Sequence, residues 1–230
     1  MRPICRFQVA VAVAGALAAP GSLLASPWAA PVGPWAGTAG ADEGAPATTP
    51  PAIRPAKPAT ADDLDFRPGL LQLVTDQPSG GRFLVFTYVI ANKTGKTQRF
   101  LPRFDLLFGD GAIRQAGSGV KPEVSRRLQR ACASAQSMDQ FQIMGDLADG
   151  ASNARDGFVV WEIPAGTDLK DVTLFVTGTS AAFDRDVDAS GKATITRRTW
   201  VRDYRFRGTT DPAVSAAGEF DPLDDRWIMR

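Results

Sequence analysis

The amino-acid sequence predicts an all-β domain, an antiparallel β-sandwich with one short helix behind a disordered N-terminal segment. Three observations support this prediction. Short apolar runs with alternating polar residues recur along the C-terminal two-thirds of the chain, with turn residues between them. Only one segment has helical periodicity. Many short strands at regular spacing are typical of a sandwich or a barrel.

The N-terminal segment has the pattern of a secretory signal peptide, which we place at residues 1–41. Arg2 and Arg6 come first, without an acidic residue, and an apolar run follows at residues 9–25. A positive region, a short apolar region and small residues after it are typical of such signals. Residues 39–41 and residues 23–25 both offer a cleavage site, and a retained N-terminal anchor is the alternative.

Residues 42–62 predict a linker because proline, alanine and threonine dominate them. Such a segment buries too little apolar surface to offset its ordering entropy, so we expect it to be disordered or extended. The folded domain then covers residues 63–230.

The strand predictions follow chain order. Residues 69–75 form a first short strand. Residues 82–92 carry apolar residues on both faces, which indicates a strand between packed layers. The other predicted strands are residues 100–108, 111–116, 141–145, 157–164, 171–178 and 192–206, with a short edge strand around Trp227.

The one predicted helix covers residues 122–132. Pro122 stands in the first turn, where a missing backbone N–H costs nothing. Val124, Leu128 and Ala131 share one face by helical spacing.

Several segments resemble secreted β-sandwich proteins of planctomycete bacteria. They are YVIANKTGKTQRFLPRFDLLFGDG, GFVVWEIP, DVTLFVTGTS, TWVRDYRFRGT and the terminal RWIMR. The resemblance covers most of residues 64–230 and implies an exported, immunoglobulin-like β-sandwich. The family has no assigned activity or site to transfer to this chain.

The composition restricts the possible chemistry. The chain contains no histidine and two cysteines, so Ser-His-Asp and Cys-His catalytic arrangements are impossible. Removing residues 1–41 takes away Arg2, Arg6 and Cys5. It leaves 24 basic against 25 acidic residues, a net charge of −1. This balance gives no reason to expect nucleic-acid binding. Cys132 then has no partner for an intramolecular disulfide.

The sequence FDRDVDASGK is the one stretch that resembles a metal-binding motif. Asp184, Asp186 and Asp188 alternate as in the first half of a calcium-binding loop. However, Ala189 stands where the loop needs glycine, and Ile195 stands where it needs glutamate. A hairpin explains the same residues better, with Asp188 opening a turn into the last long strand. Calcium through these three aspartates is the minority hypothesis, and no other cofactor is expected.

Aromatic and basic residues alternate along that last strand. Arg198, Trp200, Arg202, Tyr204 and Phe206 share one face by the two-residue period of a strand. Both residue types are common at interaction hot spots, so this face is a candidate site for carbohydrate or protein. The alternative is that the aromatic rings close the core while the arginine stems cover its rim.

The sequence therefore predicts an exported, non-catalytic binding or protein-interaction module of the cell envelope, located in the periplasm or outside the cell. We expect no membrane span after signal cleavage, and an envelope protein or polysaccharide as the partner. One alternative is a structural or assembly accessory protein. A less favoured one is a polysaccharide hydrolase, which would need two carboxyl groups roughly 5–10 Å apart in a cleft.

Overall fold

The computed structural model describes residues 54–56, 58–207, 215 and 217–230. The predicted signal peptide and the linker up to residue 53 lie outside these residues. The remaining linker includes Arg54–Pro55, which forms a short strand. All described residues belong to one compact unit.

The described residues form twelve strands, one α-helix and one 3₁₀ turn at Ala151–Asn153. In chain order these are β1 Arg54–Pro55, β2 Asp65–Asp76, β3 Gly81–Ala91, β4 Gln98–Phe100, β5 Arg103–Phe108, β6 Ile113–Gln115, α1 Pro122–Cys132, β7 Gly145–Leu147, β8 Arg155–Ile163, β9 Asp171–Thr177, β10 Phe183–Val187, β11 Ala193–Arg207 and β12 Gly218–Met229. The all-β prediction and the predicted helix are confirmed.

Ten of these strands belong to one antiparallel sheet. Its main order is β6-β5-β9-β11-β12-β2-β3-β8, with β1 added to β12 and β10 added to β11, while β4 and β7 form a separate pair. Two stacked sheets of an immunoglobulin-like sandwich were expected. That arrangement is not confirmed, because the strands continue through a single curled sheet that is nearly a closed barrel.

The curl brings the first and last strands of the sheet together. Just after β6, the Gly117 amide donates to the carbonyl oxygen of Val160 on β8 over 2.7 Å. The indole Nε1 of Trp161 donates to the carbonyl of Arg114 on β6 over 3.2 Å. Met138 also exchanges backbone hydrogen bonds with the β8 side, to Asp156 over 2.8 Å and from Phe158 over 3.0 Å. These bonds satisfy edge groups that an open sheet would leave exposed.

The main core fills the inside of the curled sheet. On β3, Leu84, Phe86, Tyr88 and Ile90 all point inward and are buried. Alternate residues of a strand face opposite sides, so the other apolar residues of β3 face outward. The apolar residues on both faces of β3, noted in the sequence, therefore serve two separate cores.

The second core lies between the outside of the sheet and helix α1. Val124 and Leu128 of the helix pack against Phe83, Val85 and their neighbours on β2 and β8. Arg127 adds a polar link from the helix to the end of β2. Its guanidinium donates two hydrogen bonds to the Asp76 carboxylate, at 2.8 and 2.6 Å.

Three strand predictions need correction. Of residues 141–145, predicted as a strand, residues 141–143 form a turn, and only Gly145 belongs to a strand, as the first residue of β7. Residues 100–108 break at Leu101–Pro102 into β4 and β5, because proline cannot donate a ladder hydrogen bond. The expected short edge strand near Trp227 is instead the twelve-residue β12, which pairs with β11 along most of its length.

Candidate functional site

The aromatic and basic face predicted on β11 points into the protein. Trp200 is 4% exposed and Tyr204 is 1% exposed, so neither presents a ring to solvent. The ring of Phe206 packs edge-on against Phe220 at a centroid distance of 5.3 Å. The curled sheet places this face inside the barrel, which corrects the expectation of an exposed aromatic patch. Burial also raises the pKa of Tyr204 to about 12.

The two arginines of that face hold the barrel wall together. Arg198 is buried, pairs with Asp63, and lies 3.8 Å from the centre of the Trp227 ring. The guanidinium of Arg202 lies 4.9 Å from the Trp200 ring, and its Nη2 is 3.1 Å from Asp225 Oδ2. Both charges therefore have acidic and aromatic neighbours, as a buried guanidinium requires.

The three alternating aspartates lie on a β-hairpin, as the turn hypothesis predicted. Asp184 and Asp186 belong to β10, and Asp188 opens the turn into β11. The Asp188 carboxylate accepts hydrogen bonds from Ser190 Oγ at 2.6 Å and from the Lys192 amide at 3.0 Å. The first of these, with Ser190, contributes most to lowering the pKa of Asp188. Asp186 pairs with Arg54 at 2.8 Å.

The hairpin does not gather these carboxylates around one point. Within the described part of the chain, no group of three or more acidic, cysteine or histidine side chains could hold a metal ion. The turn itself uses Asp188 Oδ1, one of the oxygens that the calcium hypothesis assigns to the ion.

A basic pocket lies on the outside of the barrel, next to the base of this hairpin. We call it the arginine pocket. Its volume is about 660 Å³, and the charged residues in the described part of its lining are Arg99, Arg103, Arg197, Arg230 and one acid, Asp105. Leu101 and Ile195 form its apolar walls. Its size is within the usual range for pockets that hold small ligands.

Four segments of the chain build the arginine pocket. Arg99 is on β4 and Arg103 opens β5, while Arg197 lies on β11 beside Arg230. The backbones of Arg197 and Arg230 exchange two hydrogen bonds, at 2.7 and 3.1 Å. Strands β9 and β10 both pair with β11. Residues 178–182, between them, form no strand pairing, and the pocket lies at this gap. The pocket thus depends on an interruption in strand pairing.

Gly178 makes that interruption possible. Its φ is +88°, a conformation that other residues rarely adopt, and a Cβ there would collide with the carbonyl oxygen of Leu101. The close approach of the two backbones fixes the floor of the pocket.

The arginine pocket carries a strong excess of positive charge. Asp105 is buried and contacts two arginines: Arg103 Nε lies 3.0 Å from one of its oxygens and Arg230 Nη1 lies 3.4 Å from the other. Among the described residues, four guanidinium groups against this one carboxylate leave an excess of three positive charges. Arg99 and Arg197 are exposed and form no ion pair with any described residue.

The arrangement suits an anionic group. Each guanidinium is planar, permanently charged and able to bind a carboxylate or phosphate through two parallel hydrogen bonds. Arg230 is held in place by Asp105 and by the ring of Phe175, whose centre lies 4.3 Å from its Cζ. The pocket therefore combines two arginines that share Asp105 with two that form no ion pair with a described residue.

Two further pockets contain one carboxylate each. A pocket of about 500 Å³ lies between α1 and residues 139–142, with Asp139 as its acid. A third, of about 640 Å³, lies beside β2 and contains Asp156 and Cys132. Asp171 and Asp203 line a smaller one, and each is paired with an arginine, Arg205 and Arg226.

Sequence reasoning missed the arginine pocket. Its four arginines are separated by up to 131 positions along the chain, from Arg99 to Arg230, and no local spacing connects them. The one sequence signal near the pocket was the cluster of basic residues around Arg197. The sequence analysis used that cluster to predict a site on the neighbouring side chains, which face inward.

Comparisons with known proteins add no further assignment. No protein-family model matches the chain, and no curated protein or solved structure shows a significant match to it. The resemblance to planctomycete proteins stays a prediction. Within the described residues, no helix is both long and apolar enough to cross a membrane.

Proposed function

We propose that the chain is an exported, non-catalytic binding module of the cell envelope, and that the arginine pocket holds an anionic group of its ligand. One observation carries this proposal: the described residues place four guanidinium groups and one carboxylate around a cavity of about 660 Å³. Like charges repel when they are held together, so a surface with this excess is stabilised by a bound anion.

The supporting chemistry favours carboxylate, phosphate or sulfate groups. Arg99 and Arg197 come from different strands, β4 and β11, and form no ion pair with a described residue, so their guanidinium groups can donate to such an anion. Asp105 is hydrogen-bonded to Arg103 and lies beside Arg230, so it orients those guanidiniums. Export to the periplasm or cell surface is part of the proposal and rests on the N-terminal sequence pattern.

Titration calorimetry with the purified chain tests the proposal. Sodium sulfate and sodium pyrophosphate serve as probes, at a constant low ionic strength set with sodium chloride. We expect pyrophosphate to bind more tightly than sulfate, because it presents more charged oxygens to the guanidinium forks. Binding should weaken as salt rises, since the pocket is open to solvent and the screening length falls to about 8 Å near physiological salt.

The variant for this test combines Arg99→Gln and Arg197→Gln, which removes the two pocket charges that have no ion-pair partner among the described residues. We expect the dissociation constant for pyrophosphate to rise at least roughly tenfold, the effect of about 1.4 kcal/mol of lost interaction. The matched control is Arg114→Gln on β6, an exposed arginine outside the pocket. Absence of binding by the unmodified chain, or equal losses in variant and control, would overturn the proposal.

A further inference from the structure

The hairpin of β10 and β11 has one apolar face. The register pairs Phe183 with Arg197, Arg185 with Ile195, and Val187 with Ala193. Directly paired residues of an antiparallel ladder point to the same side, so all six side chains share one face. We call Phe183, Val187 and Ile195 the apolar hairpin face.

These three side chains are unusually exposed for their type. Phe183 is 53% exposed, Val187 is 57% exposed and Ile195 is 52% exposed. Together with Leu101 they account for four of the nine large apolar side chains that are exposed within the described residues. Contiguous apolar surface of this kind marks interaction sites in soluble proteins.

The apolar hairpin face continues directly into the arginine pocket. Ile195 belongs to both surfaces, and Arg197 of the pocket is the direct ladder partner of Phe183. Arg185, on the same face of the hairpin as Ile195, adds a fifth guanidinium beside the apolar side chains. Positive charge and apolar area therefore lie side by side over one continuous surface.

The opposite face of the hairpin has the reverse character. Asp184 pairs with Thr196 and Asp186 with Thr194, so that face is acidic and polar. The apolar side chains and the aspartates thus lie on opposite faces of the hairpin. Only the first face can bury apolar area against a partner.

We infer that the arginine pocket and the apolar hairpin face together dock an acidic segment of a partner protein, in which carboxylate side chains are interspersed with apolar ones. This inference rests on the proposed anion-binding function and names its ligand class. The carboxylates would enter the guanidinium forks. The apolar side chains would cover Phe183, Val187 and Ile195, which removes their surface from water.

The observations favour a protein segment over an anionic membrane. The hairpin tip presents Asp188, which forms no ion pair with a described residue, whereas Asp186 on the other face is paired with Arg54. An anionic lipid surface would repel the Asp188 carboxylate as the tip approached it.

They also favour a protein segment over an acidic polysaccharide. The apolar hairpin face is mostly aliphatic, with Val187 and Ile195 beside a single ring, Phe183. Sugar hydroxyls placed against aliphatic carbon lose hydrogen bonds to water without replacement. Apolar side chains carry no such cost.

Fluorescence anisotropy with synthetic peptides tests the inference on the full chain. The probe is a fluorescein-labelled peptide of about ten residues in which glutamates are interspersed with leucines, long enough to span pocket and hairpin in an extended form at roughly 3.3 Å per residue. A second peptide replaces the leucines with serine, and a third replaces the glutamates with lysine. We expect the first to bind, the second to bind at least roughly tenfold more weakly, and the third not to bind.

The decisive variant combines Phe183→Ser and Val187→Ser, because neither side chain lines the arginine pocket. We expect it to lose binding of the glutamate and leucine peptide by at least roughly tenfold while its affinity for pyrophosphate stays unchanged. The matched control is Leu223→Ser on β12, whose side chain is 52% exposed, close to the 53% of Phe183. Circular dichroism verifies that each variant is folded.

The outcomes separate this inference from the proposed function. If pyrophosphate binds and the peptide does not, the inference fails while the anion pocket stands. The inference also fails if polygalacturonate, or vesicles of anionic phospholipid, displace bound pyrophosphate and the glutamate and leucine peptide does not. If pyrophosphate binding is absent as well, both proposals fail.

Discussion

Replacing Asp76 with asparagine should weaken the attachment of helix α1 to the barrel and lower the stability of the fold. Asp76 ends β2 and is only 4% exposed, and Arg127 of the helix donates to both of its oxygens at 2.8 and 2.6 Å. Ser79 Oγ donates a third hydrogen bond at 2.6 Å. Asparagine keeps the shape of the side chain and removes its charge, so the substitution tests the ion pair with little change in packing.

The expected loss in the free energy of unfolding follows from the pKa of the Asp76 carboxyl. The hydrogen bonds from Arg127 are the largest cause that lowers the pKa of Asp76 from 3.8 to about 2. A difference of this size between the unfolded and folded states corresponds to about 2 kcal/mol. Because the folded-state pKa is the lower one, this stability is present above pH 3.8 and is lost as the pH falls through about 2.

Urea unfolding of the unmodified chain and of Asp76→Asn, measured between pH 7 and pH 2, checks the reasoning. We expect the free energy of unfolding of the variant to be lower by about 2 kcal/mol at neutral pH, and the two proteins to converge near pH 2. The control is Asp171→Asn, which removes one partner of the exposed pair with Arg205. Such surface pairs contribute between about 0 and 1 kcal/mol.

Two results would refute this account of the helix attachment. One is a loss of stability in Asp76→Asn no larger than in Asp171→Asn. The other is a difference from the unmodified chain that persists undiminished at pH 2, because a loss caused by the charge must vanish once the carboxyl is protonated.

Three further predictions concern the sheet and the hairpin. Gly157→Ala should lower the free energy of unfolding by about 1–3 kcal/mol, since its Cβ would enter the ring of Tyr88 on the neighbouring strand; urea unfolding measures this. Gly178→Ala should weaken pyrophosphate binding, because its Cβ collides with the Leu101 carbonyl, whereas Gly166→Ala, also at positive φ but in open space, should leave binding unchanged. Millimolar calcium should not move the thermal midpoint, because the three hairpin aspartates are not gathered; a rise reversed by chelator would show a site.

The candidate site shows where sequence reasoning stops. The two-residue period correctly placed Trp200 and Tyr204 on one face of a long strand, but it cannot say whether that face meets solvent or a core. Their burial follows from the curl of the sheet, which depends on how β6 meets β8. The period alone also does not say that Asp184 and Asp186 lie on the opposite hairpin face from Ile195. That assignment needs the register between β10 and β11.

The sequence by itself determined the local structure of this protein: the helix at Pro122–Cys132, the β11 strand and the Asp188 turn. Periodicity, proline placement and turn chemistry act over a few neighbouring residues, so these elements can be predicted from short stretches of sequence. Only the tertiary structure decided that one sheet curls into a near-barrel and that Arg99, Arg103, Arg197 and Arg230 meet. Those contacts join distant segments through strand register and an interrupted ladder, which no local pattern encodes.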